Sequence, residues 1–483
     1  MKYPEKILHW INDQDVFYGP EDFFPKFNPA TGQVISQVIK GNQQDVEQAV
    51  SAAEKSYEVW SNVSVIQRSK ILRQAAQSLE ANKEEIAALV ALESGKSKKD
   101  SLGEVETAVE GGLFMAGEGR RYYGQILSSQ MPNRSVQLIR QSIGPGALIV
   151  PFNNPLASIC AKVFPALLCG NAIVLKSHEY TPYTAIWLAK IFKTAGLPAG
   201  IFSVLQGSGE AVGAPLASDR RIQFISLTGS LATGQSIITA SASRLAKVSI
   251  EAGGKNPLVV CADADLELAV TTAVKSAFVD AGQRCAAASR LIVVDAIYEQ
   301  FKESFISQVN KLKVGVSDDD DFGAIISEKR LNEISEKVEA AVLRGAMILS
   351  GGRRLDRKGY FLPPTVLENV SADDEISQNE LFGPVVILYR AKDFNHALAL
   401  ASNSKFKLTG AIHTKNIDYA QEFIKRYQAG VVRVNGPTYG SEPHMPFGGL
   451  GLSGNGWREP GLQSLDFYSE WKQVSIDHSP DNN

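Results

Sequence analysis

The chain has 483 residues, 44% hydrophobic and 21% charged, and its 49 basic and 52 acidic residues leave a net charge of −3. This length predicts roughly two to four domains with a core that needs no cross-links, and the near-neutral balance excludes the basic footprint of a nucleic-acid or anionic-membrane binder. The four cysteines, Cys160, Cys169, Cys261 and Cys285, are too sparse for a disulfide framework and lack zinc-ligand spacing, so no metal site is expected and a reducing compartment is.

The opening MKYPEKILHWINDQD is too short and too polar in its apolar part for a signal segment. The most apolar stretch, 145–175, is interrupted by Pro151, Asn153, Asn154, Lys162 and Asn171, which argues against a membrane span and for a cytoplasmic protein. Residues 43–61 set Val46, Ala49, Val50, Ala53, Tyr57 and Trp60 at helical spacing. A second helical pattern covers 65–94, ending at Gly95 as a C-terminal cap, and a third covers 98–123. Residues 135–141 alternate as a half-exposed strand. Short Ile- and Val-rich runs at 146–150, 172–175, 201–205, 222–227 and 246–250 then read as buried strands, separated by helical patterns at 182–195, 209–217 and 231–242. A second series follows, with strands at 257–261, 290–294, 385–390, 408–413 and 431–434 and helices at 265–281, 297–312, 328–344, 394–402 and 416–427. Two such alternations predict an α/β protein with two sheet domains and a cleft between them. The tail from 440 is glycine-rich and then strand-like.

Several segments can carry chemistry. Cys285 lies in AGQRCAAASR, 281–290, where small neighbours let a substrate carbon approach the sulfur; taken alone, a buried structural thiol is the simpler reading, and it is kept for Cys160, Cys169 and Cys261. Glu251, in IEAGGKNP, ends a strand beside a Gly-Gly pair, where a carboxylate can act as a movable general base or merely face solvent in a turn. Asn153, in PFNNP, sits in a rigid turn from which its amide can donate to an oxyanion, although asparagine between prolines is ordinary turn chemistry as well. The Rossmann G-x-G-x-x-G fingerprint is absent. Gly207, Gly209 and Gly213 and the segment TGSLATG, 228–234, instead open helices whose N–H groups can take a pyrophosphate, and Lys176 and Glu179 can bind ribose hydroxyls.

Each signal is weak alone, but the combination is not. The ordered segments NPATG (28–32), PFNNP (151–155), FPALLCGNAIVLKSHEYTP (164–182), AGLPAG (195–200), TGSLATG (228–234), EAGGKNP (251–257), GQRC (282–285), ELFGPV (380–385) and PFGGLGLSGNG (446–456) resemble the aldehyde dehydrogenase superfamily over nearly the whole chain. The resemblance implies Cys285 as the nucleophile that forms a thiohemiacetal and then a thioester. It implies Asn153 and the Cys285 backbone N–H as oxyanion donors, Glu251 as the base that activates water, and Lys162 as a proton relay. For the cofactor it implies NAD, held by Lys176 and Glu179 at the adenine ribose, where the carboxylate would repel a 2′-phosphate and disfavour NADP. Gly229 and Ser230 match the pyrophosphate turn, Glu380 the nicotinamide-ribose carboxylate, and Phe382 a residue beside the nicotinamide. Phe152 stands where tryptophan is usual and Ala252 where leucine is. Leu462 lies where many members carry a relay glutamate, which leaves the relay open, and Arg330 and Glu333 fall near the adenine end on a loose match.

By position the substrate mouth includes Asn154, Ala157, Ser158, Ala161, Arg284, Ala286 and the loop 436–447, which suggests a small polar aldehyde or a semialdehyde. Arg284 is either the partner of a substrate carboxylate or a structural side chain pointing away. The implied architecture is a Rossmann-type NAD domain (1–123 and 145–250), a catalytic domain (251–449), a return segment (450–465) and a β oligomerisation flap (124–144 and 466–483) that a neighbouring subunit covers in a homodimer or homotetramer. A coenzyme A-acylating enzyme and a non-catalytic binding protein of the same fold are the alternatives. Retention of Glu251 argues against the first, and retention of Cys285, Glu251 and Asn153 together against the second.

Overall fold

The computed structural model describes residues 2–478; Met1 and the final 479–483, which belong to the first and last of the expected segments, lie outside the described residues. Two seven-stranded sheets organise the chain. In the first, the strands Lys247–Glu251, Phe224–Thr228, Gly146–Ile149, Ile173–Lys176 and Phe202–Leu205 lie side by side and parallel, and the hairpin of His9–Ile11 and Gln14–Val16 closes one edge antiparallel. Gly146–Ile149, Ile173–Lys176 and Phe202–Leu205 are buried at every position, as a parallel sheet covered on both faces requires. The chain steps outward from Gly146–Ile149 through two strands. It then returns to the other side of Gly146–Ile149 with Phe224–Thr228, which makes a topological switch point, the place where open α/β sheets bind ligands.

The second sheet runs Met347–Ser350, Thr365–Glu368, Val385–Ala391, Ala288–Val294, Asn256–Val260, Thr409–His413 and Val431–Val434, parallel except for the first. Alternation divides its side chains between two cores. Leu258, Val260, Leu291 and Val293 enter one, and Val259, Cys261, Ile292 and Val294 the other, the period of two expected of a pleated strand. Cys261 is thus a packing residue, and Cys160 and Cys169 are buried in the core of the first sheet.

Some elements depart from the sequence-based expectation. The expected helix 65–94 is two helices, Val65–Ala81 and Lys83–Ser94, broken at Asn82. The third ends at Gly117, short of 123, and one further short turn follows it. Residues 209–217 form a wide turn, Gly209–Gly213, and then the short helix Ala214–Ser218. The helix Pro155–Leu168 has no counterpart in the expected series. It is short and apolar apart from Ser158 and Lys162, within the most apolar stretch of the chain, and Pro155 and Pro165 mask it further. The strands Met347–Ser350 and Thr365–Glu368 are also additional.

Gln125–Leu127, Arg134–Gln141 and Glu470–Asp477 form a three-stranded antiparallel sheet. Residues 466–468, assigned above to a flap, belong instead to the short helix Ser464–Tyr468, whose Leu465, Phe467 and Tyr468 are buried in the first core. The segment 450–455 covers the free edge of Lys247–Glu251: Asn455 accepts from Ile250 N and donates to Val248 O, and Ala252 N donates to Ser453 O.

Candidate active site

The C-terminal ends of the first sheet face the segments that lead into the second. A cavity of about 920 Å³ lies between them, walled by the residues after Gly146–Ile149, Ile173–Lys176 and Phe224–Thr228 and by 251–253, Cys285, Glu380 and Phe382. Its size suits a ligand pocket. Cys285, Glu251, Asn153, Lys176, Glu179, Gly209, Gly213, Gly229, Ser230, Glu380, Phe382, Phe152 and Ala252 all line it; Lys162 does not, and of the loosely matched pair Arg330 does and Glu333 does not. His178, Glu210 and Ser236 also line it and were not singled out by the sequence.

Cys285 is presented by a tightly held loop. Asp280, Ala281 and Gly282 take left-handed backbone angles in succession, conformations that are costly for non-glycine residues and persist only when the surroundings enforce them. Enforcement is visible. The Gln283 amide bridges Ala324 O and Ile326 N at 3.1 and 3.0 Å. Asn256 Nδ2 donates to Cys285 O at 2.7 Å and to Ala287 O at 2.9 Å, and Thr438 Oγ1 donates to Ala286 O at 2.6 Å. At Gly282 a side chain would strike Gly383 O, 2.3 Å from the built Cβ. Burial, and then the Glu380 and Glu251 carboxylates, push the Cys285 thiol up to about 12, so it rests protonated and needs a base to become a nucleophile.

Glu251 ends the edge strand of the first sheet and is buried, and neither carboxylate oxygen has a hydrogen-bond partner among the described residues. Burial and the nearby Glu459 hold its pKa well above the ordinary carboxylate value, against the opposing pull of Lys162 and Arg458. The Gly253-Gly254 pair next to it makes room for the neighbouring groups. A Cβ on Gly253 would overlap Glu380 Oε2, and one on Gly254 would lie 2.8 Å from Cys285 O. Glu380 accepts from Gly254 N at 3.0 Å, and burial raises its pKa to about 7.

Lys162 sits behind Glu251. Its ammonium donates to Ser226 Oγ at 2.6 Å and to Glu459 Oε2 at 2.5 Å, with both partners buried. The carboxylate beside Lys162 is therefore Glu459, whereas Leu462, the position considered above for that role, is 43% exposed. No local pattern marks Glu459, because its partner is 297 residues away in the chain.

The opposite end of the cavity holds Lys176 and Glu179, 3.0 Å apart. Burial alone would raise the Glu179 carboxyl, but Lys176 and His178 bring it below its ordinary value, so it stays anionic. Phe152 joins the two ends: its ring makes edge contacts with Phe382 at 5.6 Å and with His178 at 5.3 Å. Ser230 caps the helix Leu231–Ser241 by accepting from Thr233 N. The Gly229 N–H, expected at the pyrophosphate turn, is engaged with Glu251 O at 3.0 Å, so Gly229 ties that turn to the strand that carries Glu251. The Arg284 guanidinium lies 3.8 Å from the ring centroid of Tyr439, in the expected mouth loop 436–447, donates to Lys275 O at 3.4 Å, and does not line this cavity.

Comparison with known proteins agrees with this geometry. The pattern of the aldehyde dehydrogenase family matches residues 18–474. Lactaldehyde dehydrogenase of Escherichia coli (strain K12) is 35% identical over 471 residues, covering 96% of each chain. Alpha-ketoglutaric semialdehyde dehydrogenase of Bacillus subtilis (strain 168) is 34% identical over 97% of this chain and 98% of its own. Among solved structures, betaine aldehyde dehydrogenase from Staphylococcus aureus in complex with NAD+ superposes with a TM-score of 0.95 at 31% identity, covering 98% of this chain and 95% of that one. The two-sheet architecture, the cavity at their junction and these matches lead to one conclusion: the chain belongs to the aldehyde dehydrogenase family.

Proposed function

We propose that the protein oxidises an aldehyde to the carboxylic acid with NAD, through a thioester on Cys285. The observation that carries this reading is the convergence of Cys285, the unpartnered Glu251 carboxylate, Asn153 and the Lys176–Glu179 pair on one cavity. The donor set suits NAD: an anionic Glu179 beside Lys176 fits a free ribose diol and opposes a 2′-phosphate, and Ser230 opens a helix at the turn where a pyrophosphate would lie. Bound NAD supplies the hydride acceptor. The segments 1–123 and 145–250 are the proposed cofactor domain and 251–449 the proposed catalytic domain.

In the first step the Cys285 thiol gives its proton to Glu251 and the sulfur bonds to the aldehyde carbon. The carbonyl oxygen becomes an oxyanion, held by the Asn153 amide and the Cys285 backbone N–H. Loss of hydride restores the carbonyl as a thioester. Glu251 first passes on the thiol proton and is again a carboxylate; it then takes a proton from water, the hydroxide adds to the thioester carbon, and the thiolate leaves and is reprotonated. The Lys162–Ser226–Glu459 group lies behind Glu251 and can receive its proton. A buried carboxylate with a raised pKa suits this role, since it is a stronger base than an exposed one.

The lining cations are Lys176 and Arg330, placed beside Glu179 and Glu380. With Arg284 stacked on Tyr439 and absent from the lining, a small polar aldehyde is the substrate reading, and a semialdehyde requires Arg284 to turn its charge toward the mouth. The edge of the three-stranded sheet, with Ile126 86% exposed, is the proposed contact for a second copy in a homodimer or homotetramer.

The test is NADH formation by the purified protein with an aldehyde panel running from acetaldehyde through alkanals and benzaldehyde to semialdehydes and sugar aldehydes, beside Cys285→Ala. Turnover abolished in the variant supports the thioester route. Turnover that requires coenzyme A points to the acylating reaction, and NAD binding without any turnover to a binding protein.

A further inference from the structure

Behind the cavity, and outside its lining, a buried ionic cluster joins the segment that carries Asn153 to the loop that carries Cys285. Lys96 Nζ lies 2.8 Å from Glu104 Oε2, 3.3 Å from Asp280 Oδ1 and 2.8 Å from Asn154 Oδ1. The ammonium donates hydrogen bonds to Glu104 and Asn154, Asp280 completes its surroundings as an ion pair, and Lys96 and Glu104 are almost fully buried.

Each partner is attached to a different part of the site. Glu104 Oε1 accepts from Leu156 N at 2.8 Å and from Ala157 N at 3.2 Å. These are free N–H groups in the first turn of Pro155–Leu168, where Asn154 makes no side-chain cap bond. A glutamate 52 residues upstream therefore caps the helix that starts two residues after Asn153. Asp280 opens the left-handed turn 280–282, and its carbonyl accepts from Gln283 N at 3.0 Å, two residues before Cys285. Asp100 Oδ2 accepts from Asp280 N at 3.4 Å, and Arg284 Nε stands 3.9 Å from Asp280 Oδ2.

From this geometry we infer that Lys96, Glu104 and Asp280 are positioning residues that fix the Asn153 amide relative to the Cys285 backbone N–H, and so set the shape of the oxyanion site. The inference rests on the proposed function, in which those two groups are the oxyanion donors. The physical reason is stiffness. Donors aimed at a developing charge stabilise it only if held at a fixed separation, and the two here belong to segments that are far apart in sequence and are bridged by this cluster. A buried ammonium hydrogen-bonded to one segment and ion-paired to the other cannot follow a shift of either without losing a contact that burial makes costly to lose.

The experiment is a double-mutant comparison on the full chain with NAD and the best aldehyde of the panel. Lys96→Met and Glu104→Gln are each made alone and in an Asn153→Ala background. Alone, Lys96→Met is expected to lower kcat on the order of 100-fold and Glu104→Gln on the order of 10-fold, the range seen when an oxyanion donor is misplaced. The KM for NAD should stay within about twofold, because an interaction confined to the transition state moves kcat and not cofactor binding. In the Asn153→Ala background the same changes should cost less than about threefold, because the donor they position is already gone.

Equal fold-losses in both backgrounds would overturn the inference, as would NAD binding that weakens in step with kcat. If Lys96→Met does not fold, the near-isosteric Glu104→Gln carries the same comparison, and full activity in that variant overturns the inference. A wild-type protein that turns over no aldehyde removes the proposed function and this inference together; an active wild type with additive losses removes only the inference.

Discussion

The Glu251 carboxylate rests against the bare backbone of Gly448: a Cβ built on Gly448 would stand 2.4 Å from Glu251 Oε1 and 2.7 Å from Trp457 O, at a φ of +151°. One neighbour is backbone and cannot yield, so the carboxylate must. Gly448→Ala should therefore displace Glu251 while leaving the Lys176–Glu179 end untouched. The expected outcome is a fall in kcat on the order of 10-fold or more, with the KM for NAD unchanged. Steady-state kinetics with varied NAD checks it, and unchanged kcat would show that Glu251 works from another position.

Glu251→Gln removes the base but keeps the shape. If Glu251 takes the thiol proton and then activates water, the variant should form NADH slowly in a first turnover and then stall as the thioester, a mass increase of the acyl group less the thiol hydrogen on Cys285. Intact-protein mass spectrometry after mixing with aldehyde and NAD reads this directly. In the wild type, the base must be ionised to act, and burial with Glu459 holds its pKa up. The rate should therefore keep rising with pH above the ordinary carboxylate range.

Lys162→Met should act twice. It strands the buried Glu459 carboxylate, at a cost of about 3–5 kcal/mol in stability, measurable by denaturant unfolding. It also removes a positive charge that lowers the Glu251 pKa, so the rising limb of the pH–rate profile should move further alkaline. Adding Glu459→Gln should recover most of the stability and reverse the pH displacement. Failure of the second change to rescue either property would show that the pair is not coupled as its 2.5 Å contact implies.

Glu179→Gln removes the anion beside Lys176 and keeps an acceptor for a ribose hydroxyl. The ratio of kcat/KM for NADP over NAD should rise by roughly 10-fold, on the scale of one removed like-charge contact. A ratio that does not move would place the 2′-hydroxyl away from Glu179.

Glu380 holds its proton more tightly in the folded chain than in the unfolded one, since burial raises its pKa to about 7. The stability linked to that proton is present below the ordinary carboxylate value and is lost as the pH rises through about 7. Glu380→Gln mimics the protonated form at every pH. Its thermal midpoint relative to wild type should match at pH 5 and exceed it at pH 8, in scans without NAD. A constant offset across that range would rule out titration of Glu380.

Much of the architecture could be read from order and pattern. The buried strands of both sheets appear as short Ile- and Val-rich runs because a parallel strand covered on both faces needs apolar residues at nearly every position. Cys285, Glu251 and Asn153 are weak signals one at a time and became candidates through the ordered set of segments they belong to, and the structure places all three on one cavity. The helix Pro155–Leu168 escaped for another reason: it is a short apolar run with only Ser158 and Lys162 polar and a proline near each end, which periodicity alone does not separate from a buried strand.

Local sequence determined the glycine turns and the alternation of strand and helix, since each depends on residue type and short spacing, and the ordered segments along the chain made Cys285 and Glu251 the candidates for nucleophile and base. The tertiary structure alone decided that Glu459 and not residue 462 meets Lys162, that Arg284 stacks on Tyr439 away from the cavity, and that Glu104 caps the helix following Asn153. Those are contacts between residues distant along the chain. Their partners are chosen by how the two sheets and their covering helices pack, and no periodicity within a short segment records that choice.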